Sequence, residues 1–299
     1  GKLVWARAAV ATVLYMNDVA VETVDGKDFV YVCGFLLGEE ALFYGQFSTF
    51  KLKGKGFTDL FVAKYDGEGW VKWARSGGGS KDDQAFSLAL DDHVVYITGF
   101  FNGLNNDAYI ARRENDATEF QALTEDPDNG VDILLAMFSK YDGEFLGARV
   151  AGGYGDDFGY GVTVDCCDKP NKKVYVTGSF VGTATFGKEE HGESAARAET
   201  LVSEGNSQED IFVAAWMVKG GAFRWAVRAG GSEYDKGNSI AVSKQGLVVA
   251  GYIGGKDDNV NFNYEKDLVI TSYATKNYIV MKLDCWNGEI GRASCRERV

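Results

Sequence analysis

Val174-Tyr-Val-Thr-Gly178, followed after a polar insert by Asp210-Ile-Phe-Val-Ala-Ala-Trp216, is the stretch that decides the fold, because the chain writes it four times. Its first half returns as Val30-Tyr-Val-Cys-Gly34, Val95-Tyr-Ile-Thr-Gly99 and, shortened, Val248-Val-Ala-Gly251. Its second half returns as Asp59-Leu-Phe-Val-Ala-Lys-Tyr-Asp66, Asp132-Ile-Leu-Leu-Ala-Met-Phe-Ser139 and, more weakly, Asn277-Tyr-Ile-Val-Met-Lys-Leu-Asp284. Successive first-half glycines lie 65, 79 and 73 residues apart. A long, nearly constant period built from strand-like pieces marks a radial or stacked β-repeat.

The third copy shows the grammar. Asp157-Phe-Gly-Tyr-Gly-Val-Thr-Val-Asp165, Val174–Phe180, Ile211–Val218 and Phe223–Arg228 are four short segments rich in Val, Tyr, Phe and Trp, separated by Gly, Asp and Asn turns. Taken in sequence order they form an antiparallel meander. Four-stranded meanders repeated around an axis make a β-propeller, each blade burying its faces against its neighbours. The fold class expected is therefore all-β, a β-propeller of which about four blades are present and which is incomplete. The blades fall at 17–79, 80–153, 154–231 and 232–289, and 1–16 is the end of a preceding blade. A β-helix needs shorter coils than this period, and outside the inserts no sustained 3.6-residue periodicity supports a helical solenoid. Gly34, Gly99, Gly178 and Gly251 sit inside strand two, which predicts close approach of a neighbouring backbone there. The inserts between strands two and three (36–57, 102–130, 181–208 and 254–274) are long. An extra hairpin is expected from Ala41–Tyr44 and Phe47–Leu52, and a helical turn over 195–201.

Composition bounds the rest. Of 299 residues, 45% are hydrophobic and 13% aromatic, enough for a large core. The net charge of −12 argues against nucleic acid and anionic membrane as partners, since both call for clustered Lys and Arg. No apolar run reaches the length of a membrane-spanning segment. The chain opens on Gly1-Lys2 with no leader visible, so the N-terminus reads as truncated or processed. Ile290–Val299 (Ile-Gly-Arg-Ala-Ser-Cys-Arg-Glu-Arg-Val) matches the translation of a common sequencing adapter, ATC GGA AGA GCG TCG TGT AGG GAA AGA GTG, and is read as a non-native tail. Its three Arg against one Glu contribute +2, leaving −14 for the remainder. Outside the tail, Cys33, Cys166, Cys167 and Cys285 show no paired metal or redox spacing, and Cys33 stands where two sibling copies have Thr.

The phrase Gly153-Tyr-Gly-Asp-Asp-Phe-Gly-Tyr-Gly-Val-Thr-Val-Asp165, with Val174–Phe186, Asp210–Ala214 and Phe223–Ala226, resembles the SBBP β-propeller repeat. The resemblance covers nearly all of 17–289. It implies a propeller, of the kind found in large secreted or cell-surface proteins, and no catalytic residues. The first blade departs most, because Ala8–Asn17 lacks the Gly-Gly and the Asp.

Three aspartates recur at one place: Gly79 to Asp83, Gly153 to Asp157 and Gly231 to Asp235. Asp83, Asp157 and Asp235 can form an acidic ring for a cation, or each can accept hydrogen bonds from its own turn. No cofactor is expected. Calcium is weighed at two acid-rich loops, Lys256–Asn261 and Glu125–Gly130, neither with EF-hand spacing. His93 and His191 are poor catalytic candidates, and no G-x-S-x-G elbow is present. Trp73 and Trp225 occupy equivalent strand-four positions that suit blade packing, whereas Trp70 and Trp286 lie near turns. The reading is a non-catalytic interaction module binding protein or glycan through its inserts, with Trp70, Phe43, Phe47 and Phe101 as the aromatic contact candidates. A propeller enzyme with an axial site and a passive spacer are the alternatives.

Overall fold

The computed structural model describes residues 1–102, 109–113, 116–119, 130–165, 171–187, 198–204, 208–255, 259–262, 265–271, 275–285 and 288. All its elements are strands; no helix occurs among the described residues, so none is long and apolar enough to cross a membrane. The chain divides into two compact units, residues 1–122 with 134–148, and residues 123–133 with 149–299.

In the first unit, the first copy consists of β1 (Val10–Val24), β2 (Lys27–Tyr44), β3 (Thr49–Lys53), β4 (Thr58–Asp66) and β5 (Val71–Gly78). The second copy supplies β6 (Gln84–Leu90), β7 (Val94–Phe101), the insert strands β8 (Tyr109–Arg113) and β9 (Asp116–Glu119), then β10 (Asp132–Ser139) and β11 (Phe145–Tyr154). The chain passes between the units within β10 and β11. In the second unit the third copy is β12 (Phe158–Val164), β13 (Lys173–Val181), β14 (Thr183–Phe186), β15 (Glu199–Val202), β16 (Glu209–Met217) and β17 (Phe223–Gly230). The fourth is β18 (Lys236–Ser243), β19 (Gly246–Gly254), β20 (Asn259–Phe262), β21 (Glu265–Thr271) and β22 (Lys276–Leu283). Strands one to four of a copy pair antiparallel in order, as β1-β2-β4-β5 and β12-β13-β16-β17 show.

One irregularity returns in every copy. The register between strands one and two slips by one residue at Met16/Asp18, Ala85/Ser87, Gly159/Gly161 and Gly237/Ser239. Each bulge drives a carbonyl (Tyr15, Gln84, Phe158 or Lys236) onto the strand-two glycine, where any Cβ would overlap it. That is why Gly34, Gly99, Gly178 and Gly251 interrupt otherwise β-branched strands.

The described parts of the inserts include added strands. The β8–β9 hairpin of the second copy adds to β5 of the first, pairing Gly77 with Ile110 and Gly78 with Tyr109. In the third copy β14 adds to β11, pairing Gly152 with Thr185, and β15 follows. In the fourth β20 adds to β17, pairing Ala229 with Phe262 and Gly230 with Asn261. Each insert thus extends the sheet of the copy before it. The first insert forms the expected hairpin, with Tyr44 opposite Thr49 and Ala41 opposite Leu52. Val10 and Ala11, at the head of β1, lie against Leu42 and Ala41. As a result β1 runs unbroken from Val10, across the expected start of a blade at 17, because β2 is long enough to pair with all of it. The expected helical turn over 195–201 is corrected: Glu199–Leu201 belong to β15, whose ladder to β14 gives their backbone partners a single turn could not. Residues 195–197 lie outside the described residues.

Strand one also packs flat on the previous copy: β6 lies across β1, β2 and β4 in the first unit, and β18 across β12, β13 and β16 in the second. In the latter, Ile240, Val249, Ile279 and Met281 meet Tyr175, Ile211, Val213 and Trp225 in one apolar cluster. Strands buried on both faces read as near-continuous apolar runs, which is why Leu60–Ala63 and Ile211–Trp216 lack alternation.

Candidate functional site

Two fully buried carboxylates meet at the end of each of the first three copies: Asp59 with Asp83, Asp132 with Asp157, and Asp210 with Asp235. The first member opens strand three. The second lies in the loop leading to the next copy, and its place is set by a three-way staple. Asp83 accepts the N–H of Gly79 at 2.7 Å and of Asn102 at 2.9 Å, while its own N–H donates to the Thr58 carbonyl at 2.8 Å. Asp157 does the same with Gly153, Val181 and Val131, each at 2.8–3.0 Å. Asp235 repeats it with Gly231, Gly254 and Glu209 at 2.7–2.9 Å. Each loop carboxylate therefore ties its own turn, the end of its own strand two and the preceding copy together. Both oxygens of each accept backbone N–H groups, so the oxygens a cation ring would use are engaged in the turn. Among the described residues no group of three His, Cys, Asp or Glu side chains is placed to hold a metal ion. Residues 125–129 and 256–258 of the two acid-rich loops lie outside the described residues.

Glycine is required between the two acids. A Cβ on Gly78 would meet Asp59 Oδ1 and lie 2.9 Å from Asp83 Oδ2; one on Gly152 would meet Asp132 Oδ1 and lie 2.8 Å from Asp157 Oδ2. Burial disfavours the charged form of all these groups. It pushes Asp59 up to about 6, against the pull of the Gly56 and Lys55 N–H groups, and Asp210 up to about 8, against Arg228. Asp157 is raised by burial and by the Asp132 charge. The strand-three acids were visible in the sequence only as the polar head of an apolar run. A carboxylate that recurs at the start of a buried strand was the signal for the second half of the pair.

A second polar assembly lies in the first unit. The Tyr31 hydroxyl donates to Glu22, Lys140 pairs with Glu22 and donates to the Asp91 carbonyl at 2.7 Å, and Lys64 donates to the Lys140 carbonyl at 2.9 Å. Trp73 Nε1 donates to that same carbonyl at 3.2 Å. The Trp73 ring lies on Gly143, as Trp225 lies on Gly288 and Trp5 on Gly69. Trp73 and Trp225 are accordingly buried where one copy meets the next. Where strand four carries Gly147 in place of the tryptophan, the guanidinium of Arg149 covers Gly221 and donates to its carbonyl at 3.0 Å.

The four aromatic contact candidates separate. Phe43 and Phe101 are fully buried, Phe43 packing on Phe61 with ring centroids 5.3 Å apart. Phe43 lies on the β2–β3 hairpin, which folds back as strands, and Phe101 ends β7, so both rings fill the core. Trp70 is half-buried under the Arg7 guanidinium, 4.1 Å from the ring centre. Phe47, at the tip of the β2–β3 hairpin, is 93% exposed. His93 is exposed in a turn; His191 and Trp286 lie outside the described residues. Cys33 is buried and its thiol is pushed up by that burial and by Asp18, so it is a core residue.

The most telling exposure is one no aromatic residue announced. Val19 in β1 occupies the place of Leu88, Val162 and Ile240 in the later copies. Those three are 6–7% exposed, and Val19 is 60% exposed. Met16 and Val21, on the same side of β1, extend this open apolar surface. In the fourth copy Val248, Tyr278 and Val280 stand where the third has Tyr175, Ile211 and Val213, and they are exposed where those are buried. No family model matches the chain, and no curated protein matches it.

Proposed function

We propose that this chain is a non-catalytic interaction module of β-propeller blades of the SBBP type, and that it binds protein through the open face of its first copy. The observation that carries this is the Val19 position: one site in four copies, buried in three and open in one. Contiguous exposed aliphatic side chains on a rigid sheet fit a protein surface better than a sugar, which favours aromatic platforms flanked by polar groups. The partner has to offer a flat β-sheet face of the kind that covers Ile240. The fourth copy carries such a face, open at Val248, Tyr278 and Val280, so the partner the geometry identifies is a second copy of this chain, joined head to tail. The interface continues a packing already used within each unit, β6 on β1, β2 and β4, and β18 on β12, β13 and β16. The hairpin tip at Phe47 lies in the same first copy.

Sedimentation velocity over a concentration series tests this. The wild-type chain is expected to associate reversibly, and Val19→Lys to reduce it to monomer. A wild-type chain that stays monomeric at every concentration would sink the reading.

A further inference from the structure

We propose that Asp59 and Asp83 form a proton-binding site: Asp59 is a carboxylic acid whose Oδ1–H donates to Oδ2 of an ionised Asp83. The geometry comes first. Asp59 Oδ2 accepts the N–H of Lys55 at 3.0 Å and of Gly56 at 3.2 Å. Its Oδ1 is buried with no hydrogen-bond partner, in a side chain with no exposed surface. That bare oxygen and Asp83 Oδ2 converge on the space above Gly78, which a methyl group there would fill. Asp83 has both oxygens on backbone N–H groups, an arrangement that favours its charged form. Two carboxylates that close, out of water, do not both ionise. A proton on Oδ1 satisfies the bare oxygen, removes one buried charge and makes the pair cohesive. Asp132 Oδ1 and Asp157 Oδ2 also converge on Gly152, so the juxtaposition of the two acids occurs at two of the junctions.

Other charged and polar groups of the described residues pack around the pair. From the β3–β4 side, Lys55 places its ammonium over the Tyr109 ring, 3.9 Å from the centre, and Lys53 contributes its carbonyl to Tyr109 and Ser76. From β8, Tyr109 donates its hydroxyl to that carbonyl at 3.1 Å. From the loop, Asp82 accepts from the Thr58 hydroxyl at 2.7 Å, and Lys81 is half-exposed. From β5, Arg75 is turned to the carbonyls of Ala74 and Asp142. Burial raises the affinity of Asp59 for its proton, with Lys55 opposing. A divalent cation fits less well, since it would need several further oxygens in a space that holds one proton.

The test uses the full chain labelled with ¹³C at aspartate carboxyls. At pH 5 the wild type is expected to keep a carboxyl resonance of Asp59 at the protonated position, and Asp59→Asn to lose it while remaining folded, because the amide keeps a donor toward Asp83. Should Asp59→Asn fail to fold, Asp83→Asn serves instead: without the neighbouring charge, Asp59 should titrate at lower pH than in the wild type. An unchanged set of protonated resonances in both variants overturns the proposal. So does loss of the wild-type resonance on adding calcium chloride, which would make the site a cation site.

Discussion

The Asp59–Asp83 and Asp210–Asp235 pairs sit at the same place in copies one and three, and the chain treats their charge differently. On β5, Ser76 lies opposite Phe61; on β17 the same register position, opposite Phe212, holds Arg228. Ser76 is neutral and donates to the Lys53 carbonyl. Arg228, 1% exposed, pairs with Asp210 and Asn261 and donates to Glu204 at 2.8 Å. The insert strand follows suit, with Tyr109 at one junction where the other has Asn261. One backbone frame thus places two acids beside a neutral serine in copy one and beside a guanidinium with a polar shell of its own in copy three. The difference separates what the repeat requires, two acids around a glycine, from what each copy adds.

The largest effect expected from breaking this comparison comes from Arg228→Met. It strands Asp210 and leaves Glu204 and Asn261 without their donor, and should cost about 3–5 kcal/mol in urea unfolding. A cost under about 1 kcal/mol would mean that the guanidinium does not offset the pair. Next comes Asp210→Asn, which leaves Arg228 buried with weaker partners and should cost about 1–3 kcal/mol, whereas Asp59→Asn at neutral pH should change stability by less than about 1 kcal/mol. Equal losses at the two sites would remove the distinction.

The pH dependence sharpens the comparison further. A carboxyl whose affinity for a proton is raised by folding binds more protons folded than unfolded, so stability falls as pH rises from the unfolded value toward the folded one and is level above it. The wild type should lose stability relative to Asp59→Asn between about pH 4 and about pH 6, and relative to Asp210→Asn over a window reaching about pH 8. Thermal melts across that range read both differences, and a gain with rising pH would have the wrong sign. The smallest effect belongs to Ser76→Ala, which removes one neutral hydrogen bond and should cost about 0.5–1.5 kcal/mol.

Much of the architecture was legible in the residues. Four copies of Val-Tyr-Val-Thr-Gly and Asp-Ile-Phe-Val-Ala gave antiparallel strands in sequence order, and the misplaced strand-two glycine pointed to the bulge that crowds it. The inserts were not legible, because their ladders are formed with the preceding copy, and a strand's partner leaves no periodicity in its own sequence. For the same reason Phe43 and Phe101 looked like surface aromatics and are core. The loop aspartates were found from their spacing, but Asp59 and Asp210 were hidden as heads of apolar strands. The open face at Val19 could not be read at all, since its residues match those of covered copies; only burial tells them apart.

The interaction surface is tested most directly by mixing two blocked chains. Val19→Lys keeps the face of the fourth copy and Val280→Lys keeps that of the first, so each alone should sediment as a monomer. Their mixture should form a one-to-one complex and nothing larger. A mixture that remains two monomers, from a wild type that associates, would place the contact elsewhere on the molecule and contradict the head-to-tail account.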